Sequence, residues 1–117
     1  PDFPVMVSLN PILFSWIIEN IVKNAIDAMR GKGKLAVAIT VEGEFVKINV
    51  TDSGKGIPKK QFKKIFEPGF TTKKRGWGLG LSLTKRIVEE YHDGRIKVLN
   101  SEVNKGTTFQ ISFRKAK

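Results

Sequence analysis

Residues 35–56 read LAVAITVEGEFVKINVTDSGKG. Leu35, Val37, Ile39 and Val41 alternate with small or polar residues, the two-residue period of a strand. Glu42-Gly43-Glu44 reads as a hairpin turn. Residues 45–51 are the return strand, with Phe45 or Val46, Ile48 and Val50 facing inward. The Asp52-Ser53-Gly54-Lys55-Gly56 stretch leaves that strand as a loop.

Working outward, Gly31-Lys32-Gly33-Lys34 separates the hairpin from a preceding helix. Asn10 is placed to cap that helix, and Pro11 stands at its first position. Residues 11–29 are apolar on most sides: Phe14, Ile17, Ile18, Ile21, Val22, Ala25 and Met29 form a broad stripe. Asn20, Asn24 and Asp27 share one narrow polar face. Residues 3–9 alternate loosely and read as a short edge strand. Downstream, Pro58 opens a short helix to about residue 65. Residues 67–78 are irregular and basic, long enough to signal a functional loop. Residues 79–91 have helical periodicity, closed by Asp93-Gly94. Residues 95–100 and 107–113 are two further strands, joined through Asn104-Lys105-Gly106. The order β-α-β-β-α-loop-α-β-β predicts an α+β protein: a two-layer α/β sandwich whose mixed, mainly antiparallel sheet carries helices on one face. No repeat, linker or second domain is visible, so residues 1–117 are expected to form a single domain.

Composition narrows the chemistry. The 117 residues carry a net charge of +10 and no cysteine. Thiolate zinc sites, iron–sulfur clusters, disulfide frameworks and cysteine nucleophiles are thereby excluded. The single histidine, His92, excludes multi-histidine metal sites and is read as structural, at a helix end. No apolar run is long enough to span a membrane. The chain starts Pro1-Asp2-Phe3-Pro4, without an initiator Met, and is read as a piece of a longer protein. Its lysines are spread widely and densest over residues 59–75. This basic balance fits either a solvated surface or the rim of a phosphate site.

Three features could carry chemistry. The first is the Asn20/Asn24 strip. A buried unpaired amide costs roughly 1–3 kcal/mol, so these amides either bond neighbouring loops or await a ligand. An Asn carbonyl can coordinate Mg²⁺ without adding negative charge beside a triphosphate. The second is Asp52-x-Gly54-x-Gly56 after a strand. An aspartate there can accept a hydrogen bond from an exocyclic amine, and glycines permit close approach; a plain strand–turn–helix junction explains the pattern nearly as well. The third is Gly76-Trp77-Gly78-Leu79-Gly80 opening a helix, preceded by Lys73, Lys74 and Arg75. Backbone N–H groups and these cations suit a phosphate. It is not a dinucleotide fingerprint, because Leu81 stands where the last glycine would be.

In this order, the three features resemble the ATP-binding catalytic domain of bacterial sensor histidine kinases, in the GHKL superfamily. The resemblance runs from about residue 10 to residue 113 and implies a Bergerat-type ATP-binding fold. It implies that Asn24 is the Mg²⁺ ligand in an N box of Asn20-Ile21-Val22-Lys23-Asn24-Ala25, with Asn20 and Lys23 near the phosphates. Asp52 would bind the adenine amino group, with Gly54 and Gly56 beside it and Ile57 lining the purine pocket. Ile65-Phe66-Glu67-Pro68-Gly69-Phe70 resembles the F box, in which Phe66 anchors a mobile lid. Thr71-Thr72-Lys73 continues that lid. Gly76, Gly78 and Gly80, with Leu79 and Leu81 between and after them, resemble the box that holds the triphosphate. Trp77 stands where small polar residues are usual. In Gly106-Thr107-Thr108-Phe109, Thr107 would lie near adenine through water.

The same resemblance implies a reaction. ATP bound with Mg²⁺ would give its γ-phosphoryl group to a histidine, with Asn20 and Lys73 as the residues nearest the transfer. That histidine belongs to a separate helical dimerisation domain absent from this chain. Hydrolytic GHKL relatives carry a glutamate base one turn before the Mg²⁺-binding Asn; here that position is Asn20. Glu19 is adjacent but about 100° around the helix. A response-regulator receiver domain is the implied partner downstream. Nucleic acid and direct membrane contact are not expected. The chain is expected to be monomeric and cytoplasmic, within a parent that can be membrane-associated. The rival readings are an ATPase module that drives conformational change and a non-enzymatic binding module.

Overall fold

The computed structural model describes residues 11–30, 32–67, 80–91 and 93–115. The edge strand read over residues 3–9 and the reading of His92 lie outside these residues. So do residues 68–79, which hold most of the irregular stretch expected over residues 67–78, with Thr72, Lys73, Lys74, Arg75, Gly76, Trp77, Gly78 and Leu79.

The hairpin forms as the alternation requires. Strand β1 (Leu35–Glu42) pairs antiparallel with β2 (Phe45–Asp52) across Gly43-Glu44. Its alternation buries Val46, Ile48 and Val50 on one face. The same period carries β2 one residue beyond the expected end, so Asp52 is its last residue rather than the first of a loop. A second hairpin, β3 (Arg95–Glu102) and β4 (Gly106–Arg114), docks β4 against β2. The sheet order is β1-β2-β4-β3, antiparallel throughout the described strands. Near Leu99 the β3–β4 register shifts between Val98 and Asn100.

Helix α1 (Pro11–Ala28) lies over the inward face of this sheet. Ile17 and Ile21 are fully buried against Ile48, Val50, Ile111 and Phe113 in one core cluster. Phe14 meets Phe113 edge-on, at 6.0 Å between ring centroids. Each buried Ile contributes about 1.5–3 kcal/mol relative to exposure. On the outermost strand, Leu35, Val37 and Ile39 remain exposed, because α1 is packed over β2 rather than over β1.

Two expected helices differ in form. The helix expected after Pro58 is a pair of 3-10 turns, Lys59–Gln61 and Lys64–Phe66. Four of its residues are lysines that stay exposed, and only Ile65 and Phe66 are buried. One buried pair is too little apolar surface to drive a longer helix. Residues 79–91 are expected as one helix. The structure has α2 (Gly80–Arg86) followed by a single π-helical turn, Ile87–Tyr91. Asp93 is left-handed (φ 51°), and the Gly94 N–H returns to the Val88 carbonyl at 2.9 Å, closing the element. Among the described residues no helix is long and apolar enough to cross a membrane.

Candidate functional site

The inward row Val46, Ile48, Val50 ends in a carboxylate. Asp52 is 4% exposed, a burial that period two imposes on it. Its Oδ1 accepts the Gly54 N–H at 2.8 Å, and the Thr107 backbone N–H also bonds it. Burial pushes the Asp52 carboxyl above the usual aspartate value, and these two N–H groups pull partly the other way. A buried acid with lone pairs to spare suits a ligand that donates a hydrogen bond.

The loop after Asp52 packs onto the end of α1. The Lys55 N–H donates to the Ala28 carbonyl at 3.1 Å, and the Ser53 N–H to the Lys34 carbonyl at 3.2 Å. A Cβ on Gly54 would stand 2.6 Å from the Ala28 oxygen. Gly56 has φ 75°, and a Cβ there would run into the Glu102 carbonyl. Both glycines therefore hold the loop between α1 and the β3–β4 turn.

Ser101 joins that turn to the loop and was not singled out by the sequence. Its Oγ accepts the Ile57 N–H at 2.7 Å, donates to the Gly106 carbonyl at 2.9 Å and lies 2.7 Å from Thr107 Oγ1. One hydroxyl thus fixes both Ile57 and Thr107 beside Asp52. Ser101 is 44 residues from Ile57 in sequence, so only the strand register reveals it.

The second cluster lies on α1. Asn20 Nδ2 donates to the Gly80 carbonyl at 2.9 Å and to Thr84 Oγ1 at 2.6 Å. This joins the polar strip to the first turn of α2. Asn24 Nδ2 donates to the Asn20 carbonyl at 2.8 Å, which leaves Oδ1 as the acceptor end of that amide. Lys23 and Asp27 are exposed, and Glu19 lines the outer side of α1 with Ile12, Ser15 and Trp16. Glu19 is therefore turned away from Asn20 and Gly80. The rise from Asn20 to Ala28 is about 12 Å, comparable to an extended nucleoside triphosphate laid from the Asn20/Gly80 contact to the Asp52 loop.

The donor set fits a Mg²⁺ ion that arrives with phosphates. Among the described residues no group of three His, Cys, Asp or Glu side chains could hold a metal. A single neutral amide oxygen, Asn24 Oδ1, matches an ion whose other ligands are phosphate oxygens and water. Phe66 and Leu81, both expected beside the nucleotide, pack against the core. Phe66 is buried edge-on against Phe109 (6.3 Å), with Lys85 Nζ 5.9 Å from its ring centroid. Ile57 packs against the same core from the rim.

Residues 10–117 match the model of the histidine kinase-, DNA gyrase B-, and HSP90-like ATPases. The chain belongs to this ATPase family. Among curated relatives it is 45% identical over 99 residues to sporulation kinase A of Bacillus subtilis, covering 85% of this chain and 16% of that protein. It is 43% identical over 105 residues to the sensor histidine kinase ZraS of Escherichia coli, covering 90% and 22%. The chain thus spans less than a quarter of either relative. The catalytic domain of histidine kinase ThkA superposes with a TM-score of 0.82 at 36% identity, over 93% of this chain and 70% of that one. ThkA in complex with response regulator protein TrrA superposes with a TM-score of 0.79 at 33% identity, over 94% and 30%. The α+β sandwich expected from the strand and helix order is the fold of these kinase domains, and the ATPase family was legible in the ordered boxes.

Proposed function

We propose that this chain is the ATP-binding catalytic domain of a longer sensor histidine kinase, with residues 1–117 forming that single domain. It binds Mg-ATP and gives the γ-phosphoryl group to a histidine on a separate helical dimerisation domain. The observation that carries this reading is the pairing of two clusters along α1. Asp52, buried beside Thr107 and Gly54, stands at one end; Asn20, against Gly80, stands at the other.

Asp52 accepts the adenine amino group, with Thr107 bridging through water and Ile57 against the purine. Asn24 holds the metal through Oδ1, while Asn20 and Lys23 stand by the phosphates. Bound Mg²⁺ supplies charge neutralisation on the phosphate oxygens. In this reading Gly76, Gly78 and Gly80, with Leu79 and Leu81, hold the triphosphate, while Thr72, Lys73, Lys74, Arg75 and Trp77 belong to the lid that Phe66 anchors. In the transfer, the bond from γ-phosphorus to the bridging oxygen breaks, a bond to an imidazole nitrogen forms, and ADP leaves. Positioning accounts for most of such a step. Asn20 is an amide without basicity and Glu19 faces away, so neither residue serves as a base for water beside the phosphates. That favours transfer to an imported nucleophile over hydrolysis.

The partners are the dimerisation domain of the same protein and, after it, a response-regulator receiver domain, as ThkA is found with TrrA. The domain acts on the cytoplasmic side as a monomer until it docks. Incubation with radiolabelled ATP tests this. Acid-labile label is expected on the dimerisation domain of the parent kinase when the two are mixed, and none on this chain alone. Steady ATP hydrolysis by the chain alone, lost in Asn20→Ala, would favour the ATPase module.

A further inference from the structure

Thr84 is a fully buried polar residue in α2, at 0% exposure. Its hydroxyl donates to the Gly80 carbonyl at 2.7 Å and accepts from Asn20 Nδ2 at 2.6 Å. The Gly80 carbonyl can only accept, so the Asn20 amide atom 2.9 Å from it is the NH2. A hydroxyl has one hydrogen, and Thr84 gives it to Gly80. It therefore meets Asn20 with a lone pair and accepts the second amide hydrogen. Both hydrogens of Asn20 Nδ2 are used, and among the described residues no donor reaches Asn20 Oδ1.

We propose that Thr84 is a positioning residue of the nucleotide site: by holding both Asn20 amide hydrogens on α2, it makes Asn20 present an acceptor oxygen to bound ligand. This deepens the ATP-binding reading and rests on it. An acceptor repels bare phosphate oxygens but suits a cation or the water around one. Asn20 thereby favours the metal-bound form of the nucleotide over the free anion. Without the Thr84 lone pair the amide is held by one bond instead of two. It is then free to turn its NH2 toward phosphate, which serves the metal-free nucleotide as well as the metal complex.

Thr84→Val keeps the shape and removes the hydroxyl; Thr84→Ser keeps the hydroxyl. Binding of a non-hydrolysable ATP analogue is measured by calorimetry, with Mg²⁺ and with a chelator. In wild type Mg²⁺ tightens binding. In Thr84→Val that gain is expected to shrink roughly three- to ten-fold, the worth of one neutral hydrogen bond, while metal-free affinity is unchanged or higher. Thr84→Ser restores the gain, and Thr84→Val has no further effect in an Asn20→Ala background. An equal loss with and without Mg²⁺ would reduce Thr84 to a packing residue and overturn the proposal. An unchanged Mg²⁺ gain in Thr84→Val would overturn it as well, leaving the ATP-binding reading intact. Failure of wild type to bind the analogue would remove both. Should Thr84→Val not fold, the wild type still decides. The Asn20 side-chain NH2 is expected to exchange slowly with solvent by NMR, and rapid exchange would overturn the proposal.

Discussion

Asp52 sets the chemistry of the site at the residue scale. Its carboxyl is held above the ordinary value by burial, so ionisation in the free protein works against folding. A raised folded value binds protons more tightly than the unfolded chain does. The resulting stabilisation is complete below the unfolded value of 3.8 and is lost as pH rises through the folded one. Nucleotide binding has the opposite sign, because the charged carboxylate is the better acceptor for an adenine amino group. Affinity is therefore expected to rise with pH across the same interval, measurable by titration calorimetry at several pH values; a flat profile would place adenine elsewhere. Asp52→Asn removes the buried charge and keeps a carbonyl for Gly54. Its unliganded melting temperature should hold or rise while analogue affinity falls at least about ten-fold, the cost of losing a charge-assisted bond. Asp52 was legible because it sits at a fixed offset before two glycines. Ser101 and Thr84 were not, because each acts through a partner at least 44 residues away.

The elements hold these residues in place. Helix α1 carries Asn20 and Asn24 on its polar strip, and Ile17 and Ile21 on the adjoining face are fully buried. Ile21→Ala should cost about 2–5 kcal/mol by chemical denaturation and should weaken nucleotide binding with it, since the strip moves with the helix. A loss of stability with affinity intact would detach the strip from the packing. Gly56 is the second test. Its left-handed φ and the Glu102 carbonyl leave no room for a Cβ, so Gly56→Ala should cost about 1–3 kcal/mol. Both hairpins and α1 were legible, because alternation and helical stripes are strong local signals. The paired 3-10 turns were not: Phe62, Ile65 and Phe66 are compatible with a helical turn and with tighter ones. The π-helical turn at residues 87–91 was hidden for the same reason, since Ile87, Val88 and Tyr91 continue a helical period. Asp52 was placed in the loop because its charge masked the inward row it completes.

At the scale of the whole molecule, the chain has the fold of the ATPase family it matches. The sheet and α1 form a platform with the buried Asp52 cluster at one end and the Asn20–Gly80 contact at the other; the proposed function puts adenine at the first and the phosphates at the second. The net charge of +10 adds a long-range attraction for a polyanionic nucleotide, so analogue affinity should fall as ionic strength rises. The order of the boxes made the family legible, whereas the coupling between boxes is a property of the folded contacts. The most direct measurement is calorimetric titration of a non-hydrolysable ATP analogue, with and without Mg²⁺, into wild type and Asp52→Asn. The account predicts one site per chain, tightened by Mg²⁺ in wild type and lost in Asp52→Asn. Equal binding by the two proteins, or none by wild type, would contradict it.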